Sequence, residues 1–215
     1  MALLGWNPGG ERELFSLDEL IQAFDLAQVQ KAGAVFDGAK LDWMNGEYIR
    51  KKSAKELTEL CLPYLRKSDF LRGKSDFPKL NDIIALEQPR LKKLAEIGER
   101  TAFFFREPEY PKDLLRWKGM GDDELIRSLE RSRDIVRAIP ENEFTKEKLK
   151  ARFFAEIGAG PSTKLGAGDK GVLLWPLRVA LTGKPASPGP FEIMAVLGKT
   201  AALRRIQSAL GRVRE

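Results

Sequence analysis

Apolar residues recur at three- and four-residue spacing along almost the whole chain, and the polar positions between them carry helix-start and helix-stop signals. Ser16 and Glu19 form a capping box, in which hydroxyl and carboxylate each satisfy a backbone donor that the first helical turn leaves orphaned. Phe15 before it and Leu20 within the helix make a hydrophobic staple, and Leu20, Ile21, Phe24 and Leu26 supply an apolar face. Ser53 and Glu56 repeat the box ahead of a helix bearing Leu57, Leu60 and Tyr64. Asn81 precedes a helix with Ile83, Ile84 and Leu86, interrupted at Pro89, which has no N–H for the helical ladder.

The same pattern predicts a helix over 122–137, with Leu125, Ile126, Leu129 and Val136 inward and Pro140 as its stop. Thr145 caps the next helix, where Phe144 and Leu149 fit a staple. Residues 158–171 are rich in Gly, Pro, Ser and Thr and read as a loop. Pro176 suits the first turn of a short helix. A second loop, 183–189, leads into a helix over 190–197 that Gly198 ends, and a last helix turns Leu203, Ile206 and Leu210 inward and Arg204 and Arg205 partly outward. Strand alternation and hairpin turn signals are absent. The expectation is an all-α fold: two small helical subdomains after a short N-terminal helical segment, with the Pro- and Gly-containing stretch 106–121 as the best internal joint.

Composition narrows the class. At 215 residues, 43% hydrophobic and 32% charged, the chain is long enough to bury a core and polar enough to be well solvated. Its apolar runs fall far short of the roughly 20 residues that cross a bilayer. Cys61, the one cysteine, sits in an apolar pattern and reads as a buried thiol, which suits a reducing cytoplasm. The net charge of +6 is unevenly placed. Residues 1–150 are balanced, whereas 151–215 carry ten basic and four acidic side chains. A local basic excess attracts polyanions by steering and counterion release; it also serves as an ordinary solubilising surface.

Catalytic equipment is missing. With no histidine, neither a Ser-His-Asp device nor the usual zinc sites can be built. Gly166, Gly168 and Gly171 lack the spacing of a phosphate-binding loop and follow no strand, so loop flexibility explains them better. Asp122 and Asp123 lie at a helix start, where carboxylates favour the dipole.

The stretch KLDWMNGEYIR at 40–50 is the most distinctive in the chain, with AVFD at 34–37 before it. Together with ALLGW at 2–6, PLRVALTG at 176–183, PGPFEI at 188–193 and LGK at 197–199, it resembles the bacterial-type glutamyl-tRNA synthetase family. The likeness covers nearly the whole chain; residues 67–143 diverge and match by pattern alone. The HIGH-type and KMSKS-type signatures of that family's catalytic domain are absent, so the chain reads as an expressed fragment or a freestanding relative. The resemblance implies the all-helical anticodon-binding region, divided into the end of a stem-contact region at 1–52, a first anticodon-binding subdomain at 53–138 and a second, basic one at 139–215.

It also implies site residues. Arg90 lies where discriminating members carry an arginine that reads the third anticodon base, a cytosine in tRNA-Glu; a guanidinium has fixed donors and no acceptor, so it favours an acceptor-rich base edge. A plain surface arginine beside Pro89 is the bland alternative. Arg178 matches an arginine that packs on anticodon bases. Ser187, Pro188 and Pro190 fall in a loop that touches the first anticodon base, although Pro190 replaces the leucine of some relatives. Lys40 and Arg50 are candidates for RNA-backbone contact, with surface salt bridging as their alternative, and Arg204 and Arg205 are further candidates. Trp43 reads as core.

The expected role is therefore recognition of the tRNA-Glu anticodon by a monomer with no membrane attachment, located in the cytoplasm. Whether tRNA-Gln is also bound is left open. No cofactor is expected in this chain; ATP and magnesium would belong to the catalytic domain that joins glutamate to tRNA. The competing expectation is a helical protein-interaction module that keeps the scaffold without binding RNA.

Overall fold

The computed structural model describes residues 3, 5–30, 35–67, 79–159 and 170–214. Among them the secondary structure is helical, with a single isolated bridge between Trp6 and Val29 and no strand. The chain divides into two compact units, Met1–Lys52 and Ser53–Glu215.

The first unit holds α1 (Leu17–Ala23) and α2 (Gly38–Arg50). The Ser16 capping box closes in both directions: the Glu19 amide donates to Ser16 Oγ at 3.2 Å, and the Ser16 amide to Glu19 Oε2 at 2.7 Å. Asp37 caps α2 by accepting from the Ala39 and Lys40 amides. Little else is buried. Trp6 packs against Phe15 and Phe24, and α2 buries only Gly46 and Ile49. Ile21, Phe24 and Leu26 are exposed, so the apolar stripe expected to anchor α1 faces outward. Trp43, expected in the core, is 43% exposed. The physical reason is size: two short helices offer too little opposing surface to cover every apolar side chain they carry.

The second unit owns the core. It contains α3 (Ala54–Lys67), α4 (Leu80–Glu87), α5 (Ile97–Phe105), α6 (Asp122–Ala138), α7 (Lys146–Ala159), α8 (Lys170–Thr182), α9 (Pro190–Leu197) and α10 (Lys199–Arg214). Ser53 and Glu56 form the second capping box, at 3.0 and 3.3 Å. Cys61 is fully buried on α3, and burial pushes its thiol up to about 11. Helices α3, α4 and α5 pack together; α6, α8 and α10 form a second group, with α7 and α9 beside them. One continuous cluster of buried side chains runs from Phe103 to Val213, and Tyr110, Leu115 and Met120 draw the 106–121 stretch into it.

Two prolines lie inside helices, and one corrects the sequence reading. Pro176 sits at the middle of α8 rather than in its first turn, because the helix begins six residues earlier, at Lys170. A proline at 176 leaves the Val172 carbonyl without its helical donor. Ser128 on α6 supplies one instead, its Oγ donating to Val172 O at 2.8 Å. The kink-prone position thus becomes a bond between helices. Of the expected loop at 158–171, both ends belong to α7 and α8, and its middle, 160–169, lies outside the described residues.

Gly183 ends α8 with φ +67, and a Cβ there would lie 3.0 Å from that of Pro108, so both backbone and space require glycine. Gly198, at φ +83, ends α9 as expected. Three lysines tie distant helix ends together by donating to terminal carbonyls, where cations also suit the dipole. Lys79 reaches Val196 O at 3.2 Å, Lys112 reaches Val213 O at 2.8 Å, and Lys199 reaches Ile139 O at 2.6 Å. No helix among the described residues is long and apolar enough to cross a membrane.

Candidate nucleic-acid interface

Arg90 closes the single 3-10 turn, Gln88–Arg90, that follows α4. Pro89 forces this turn by withholding the donor that would continue the helix, and the Leu91 amide closes it on Gln88 O at 3.3 Å while also reaching Glu87 O at 3.1 Å. Arg178 projects from the middle of α8, a helix otherwise buried at Leu177, Val179, Ala180 and Leu181. The fold brings these two arginines, 88 residues apart in sequence, close enough for the Arg90 charge to act on Arg178.

Burial lowers the Arg178 pKa from its ordinary value, and the Arg90 charge lowers it further, against Glu192, which raises it. Two half-buried guanidinium groups create a demand for hydrogen-bond acceptors. Their protein partners do not meet it. Arg178 Nη1 has a long bond, 3.3 Å, to the Ser187 carbonyl. Arg90 Nη1 is buried with no hydrogen-bond partner. Glu192, the carboxylate on the Arg178 side, is engaged by Lys146 at 3.0 Å.

The loop after α8 completes this face. Thr182 Oγ1 accepts from the Lys184 amide at 3.1 Å and fixes the turn. Ser187 donates its hydroxyl to its neighbour's carbonyl, Pro188 O, at 2.9 Å. Ser187, Pro188 and Pro190 are all buried, and Gly189 between them is partly exposed. What the loop presents is consequently Gly189 and its backbone rather than the three side chains singled out from the sequence. Pro190 occupies the first turn of α9, where its missing donor costs nothing.

The structure separates the remaining candidates. Lys40 pairs with Glu13 and Arg50 with Glu47 within the first unit. Arg204 is exposed and pairs with Glu107. Arg205 points the other way. It is 3% exposed, its Nη1 donates to Leu181 O and its Nη2 to Phe103 O, both at 2.5 Å, so its outward placement is corrected. On α10, Arg205 shares a face with Ala202, Ile206, Ala209 and Leu210, where carbonyls of α8 and α5 need donors.

Sequence reasoning missed Glu87, Lys184 and Gly189. Glu87, 2% exposed in the last turn of α4, faces Arg90, Arg100 and Lys184; its spacing of three from Arg90 was the available signal. Lys184 donates to Glu99 O at 2.7 Å, a tie across 85 residues that no local pattern announces. Among the described residues, no group of three or more His, Cys, Asp or Glu side chains is arranged to hold a metal ion.

The family model of the anticodon binding domain matches residues 56–210. The chain is similar to the glutamate–tRNA ligase of Clostridium botulinum (strain Eklund 17B), with 36% identity over 213 residues, 98% of this chain and 42% of that protein. It is similar also to the glutamate–tRNA ligase of Clostridium kluyveri, with 35% identity over 216 residues, all of this chain and 42% of the relative. A crystal structure of a glutamate tRNA ligase from Elizabethkingia meningosepticum, in complex with its amino acid, superposes with a TM-score of 0.78 at 26% identity, covering 99% of this chain and 40% of that one. The chain thus spans about two fifths of the length of these relatives.

Proposed function

Because this chain belongs to the glutamate–tRNA ligase family and carries its anticodon-binding domain, we propose that it binds tRNA-Glu through the anticodon, with Arg90 and Arg178 as the donors that read it. The observation that carries this reading is the buried, unpartnered Nη1 of Arg90 beside a second half-buried arginine. Arg90 as a whole stays partly exposed, so its guanidinium can turn toward an arriving acceptor and satisfy a donor that the protein leaves unmade. Unstacked bases in an RNA loop supply such acceptors on their exposed edges, and a guanidinium can stack on a base while bonding another. Arg90 reads the third anticodon base, the cytosine of tRNA-Glu; Arg178 packs on the bases; the backbone at Gly189 lies against the first.

In a full-length ligase, binding here selects the tRNA to which glutamate is joined. ATP and magnesium belong to that joining step and not to the residues of this chain. We propose further that the protein acts on RNA in the cytoplasm and as a monomer.

Titration of the chain with tRNA-Glu and with a third-anticodon-base variant, at physiological salt and over a salt series, tests the reading. The variant is expected to bind more weakly by about 1–3 kcal/mol, the usual cost of a mismatched base contact. Both affinities should fall as salt rises, because phosphate contacts release counterions. Equal affinity for the two RNAs contradicts the role of Arg90, and capture of a protein partner without any tRNA contradicts RNA binding altogether.

A further inference from the structure

We infer that one face of α7 carries the RNA strand on the 5′ side of the anticodon, with Lys146, Lys150 and Lys170 holding its phosphates. This extends the anticodon reading and rests on it.

A series of direct contacts leads from Arg178 to α7. Arg178 donates to Ser187 O, and two residues on, Gly189 opens α9. The Glu192 carboxylate, in the first turn of α9, packs so closely on Gly189 that a Cβ there would have to displace it. Glu192 in turn receives the Lys146 ammonium at 3.0 Å, from the first turn of α7. Two helix starts meet at this ion pair, each with the positive end of its dipole. Lys146 adds a cation where the dipole alone favours an acid.

From Lys146 a stripe continues along α7. Lys150 and Phe154 follow at intervals of four residues and so share its face, with a rise of about 6 Å per step. Phe154 packs against Phe191 of α9, the ring centroids 6.1 Å apart, and Lys170 holds its ammonium 4.8 Å from the centre of the Phe154 ring. All three lysines are exposed. Lys150 and Lys170 form no ion pair among the described residues. The stripe thus sets three ammonium groups against Glu192, the carboxylate bonded to one of them.

The chemistry suits phosphate rather than a base edge. An ammonium has rotatable donors and no fixed fork, so it neutralises a phosphate without reading sequence. The third anticodon base is assigned to Arg90 and the first to Gly189, so a strand continuing past Gly189 onto α7 runs toward its 5′ side. A merely solubilising face would behave differently under salt.

The test titrates wild type, Lys150→Gln, Lys170→Gln and the double variant Lys146→Gln/Lys150→Gln with tRNA-Glu and with the third-anticodon-base variant over a salt series. Circular dichroism melting checks each fold. Lys148→Gln is the control, since Lys148 lies about 200° round α7 from Lys146 and pairs with Glu143 at 3.4 Å. Each lysine removed from the stripe should reduce the slope of log affinity against log salt by about 0.7–0.9. Both RNAs should weaken by the same factor, and Lys148→Gln should leave the slope alone. Neutral methylphosphonates just 5′ of the first anticodon base should weaken binding to wild type and cost the double variant nothing further. If the double variant keeps the wild-type slope, if Lys148→Gln lowers it equally, or if the methylphosphonates weaken both proteins alike, the inference fails while Arg90 and Arg178 keep their roles. If wild type binds the two RNAs equally, the role of Arg90 falls and this inference with it.

Discussion

Arg205 and Arg178 lie in the same packed unit, and the chain uses them in opposite ways. Around Arg205 the two terminal nitrogens are answered from within: carbonyls of Leu181 and Phe103 accept, only Nε lacks a hydrogen bond, with Glu107 Oε2 3.6 Å away, and the side chain is sealed from solvent. Around Arg178 and Arg90 the protein supplies one long bond and leaves a buried donor without a partner. The contrast teaches that the basic excess of the last third is not itself a binding surface. Much of it is internal carpentry: Lys184 and Lys199 also end on backbone carbonyls, and Arg214 pairs with Glu130. What sets Arg90 and Arg178 apart is partial exposure combined with donors the protein leaves largely unmatched.

The largest effect that would sharpen this contrast is on stability. Arg205→Met should cost about 3–5 kcal/mol, because it strands buried carbonyls that have lost their donor. Urea denaturation measures the loss, and RNA affinity per folded molecule should be unchanged. Arg178→Met should reverse the pattern. Its single long bond contributes little to folding, so stability should move by less than about 1 kcal/mol, while affinity for tRNA-Glu falls about 10-fold or more, as loss of a base-stacking side chain implies. The smallest effect belongs to Arg204→Ala. An exposed pair with Glu107 should be worth under about 1 kcal/mol by denaturation. If Arg205→Met folds as wild type, or if Arg178→Met unfolds the chain, the division between the two arginines breaks.

How much of this was legible depends on distance along the chain. The capping boxes at Ser16 and Ser53 and the stop at Gly198 were readable because donor and acceptor lie within four residues, and the helix beginning at Asp122 because its acidic first turn is written in consecutive residues. Arg90 and Arg178 stood out through motif resemblance, yet nothing local showed that the charge of one acts on the other. Arg205 looked partly outward because its neighbour Arg204 is exposed; its inward turn depends on carbonyls of Leu181 and Phe103, 24 and 102 residues away. Trp43 misled for a related reason, since a tryptophan's burial is decided by what covers it. Pro176 is the subtler case. A proline is a helix-start signal until a distant hydroxyl, that of Ser128, relieves the carbonyl it orphans.

The central claim, that the unmatched donor of Arg90 reads a base, is tested most directly by a double-mutant cycle across the interface. Wild type and Arg90→Ala are each titrated with tRNA-Glu and with the third-anticodon-base variant at one salt concentration. The account predicts non-additivity of about 1–3 kcal/mol: either change alone weakens binding, and making both costs hardly more than making one. Strict additivity, with Arg90→Ala weakening both RNAs by the same factor, would contradict it and reduce Arg90 to one more positive charge near a phosphate.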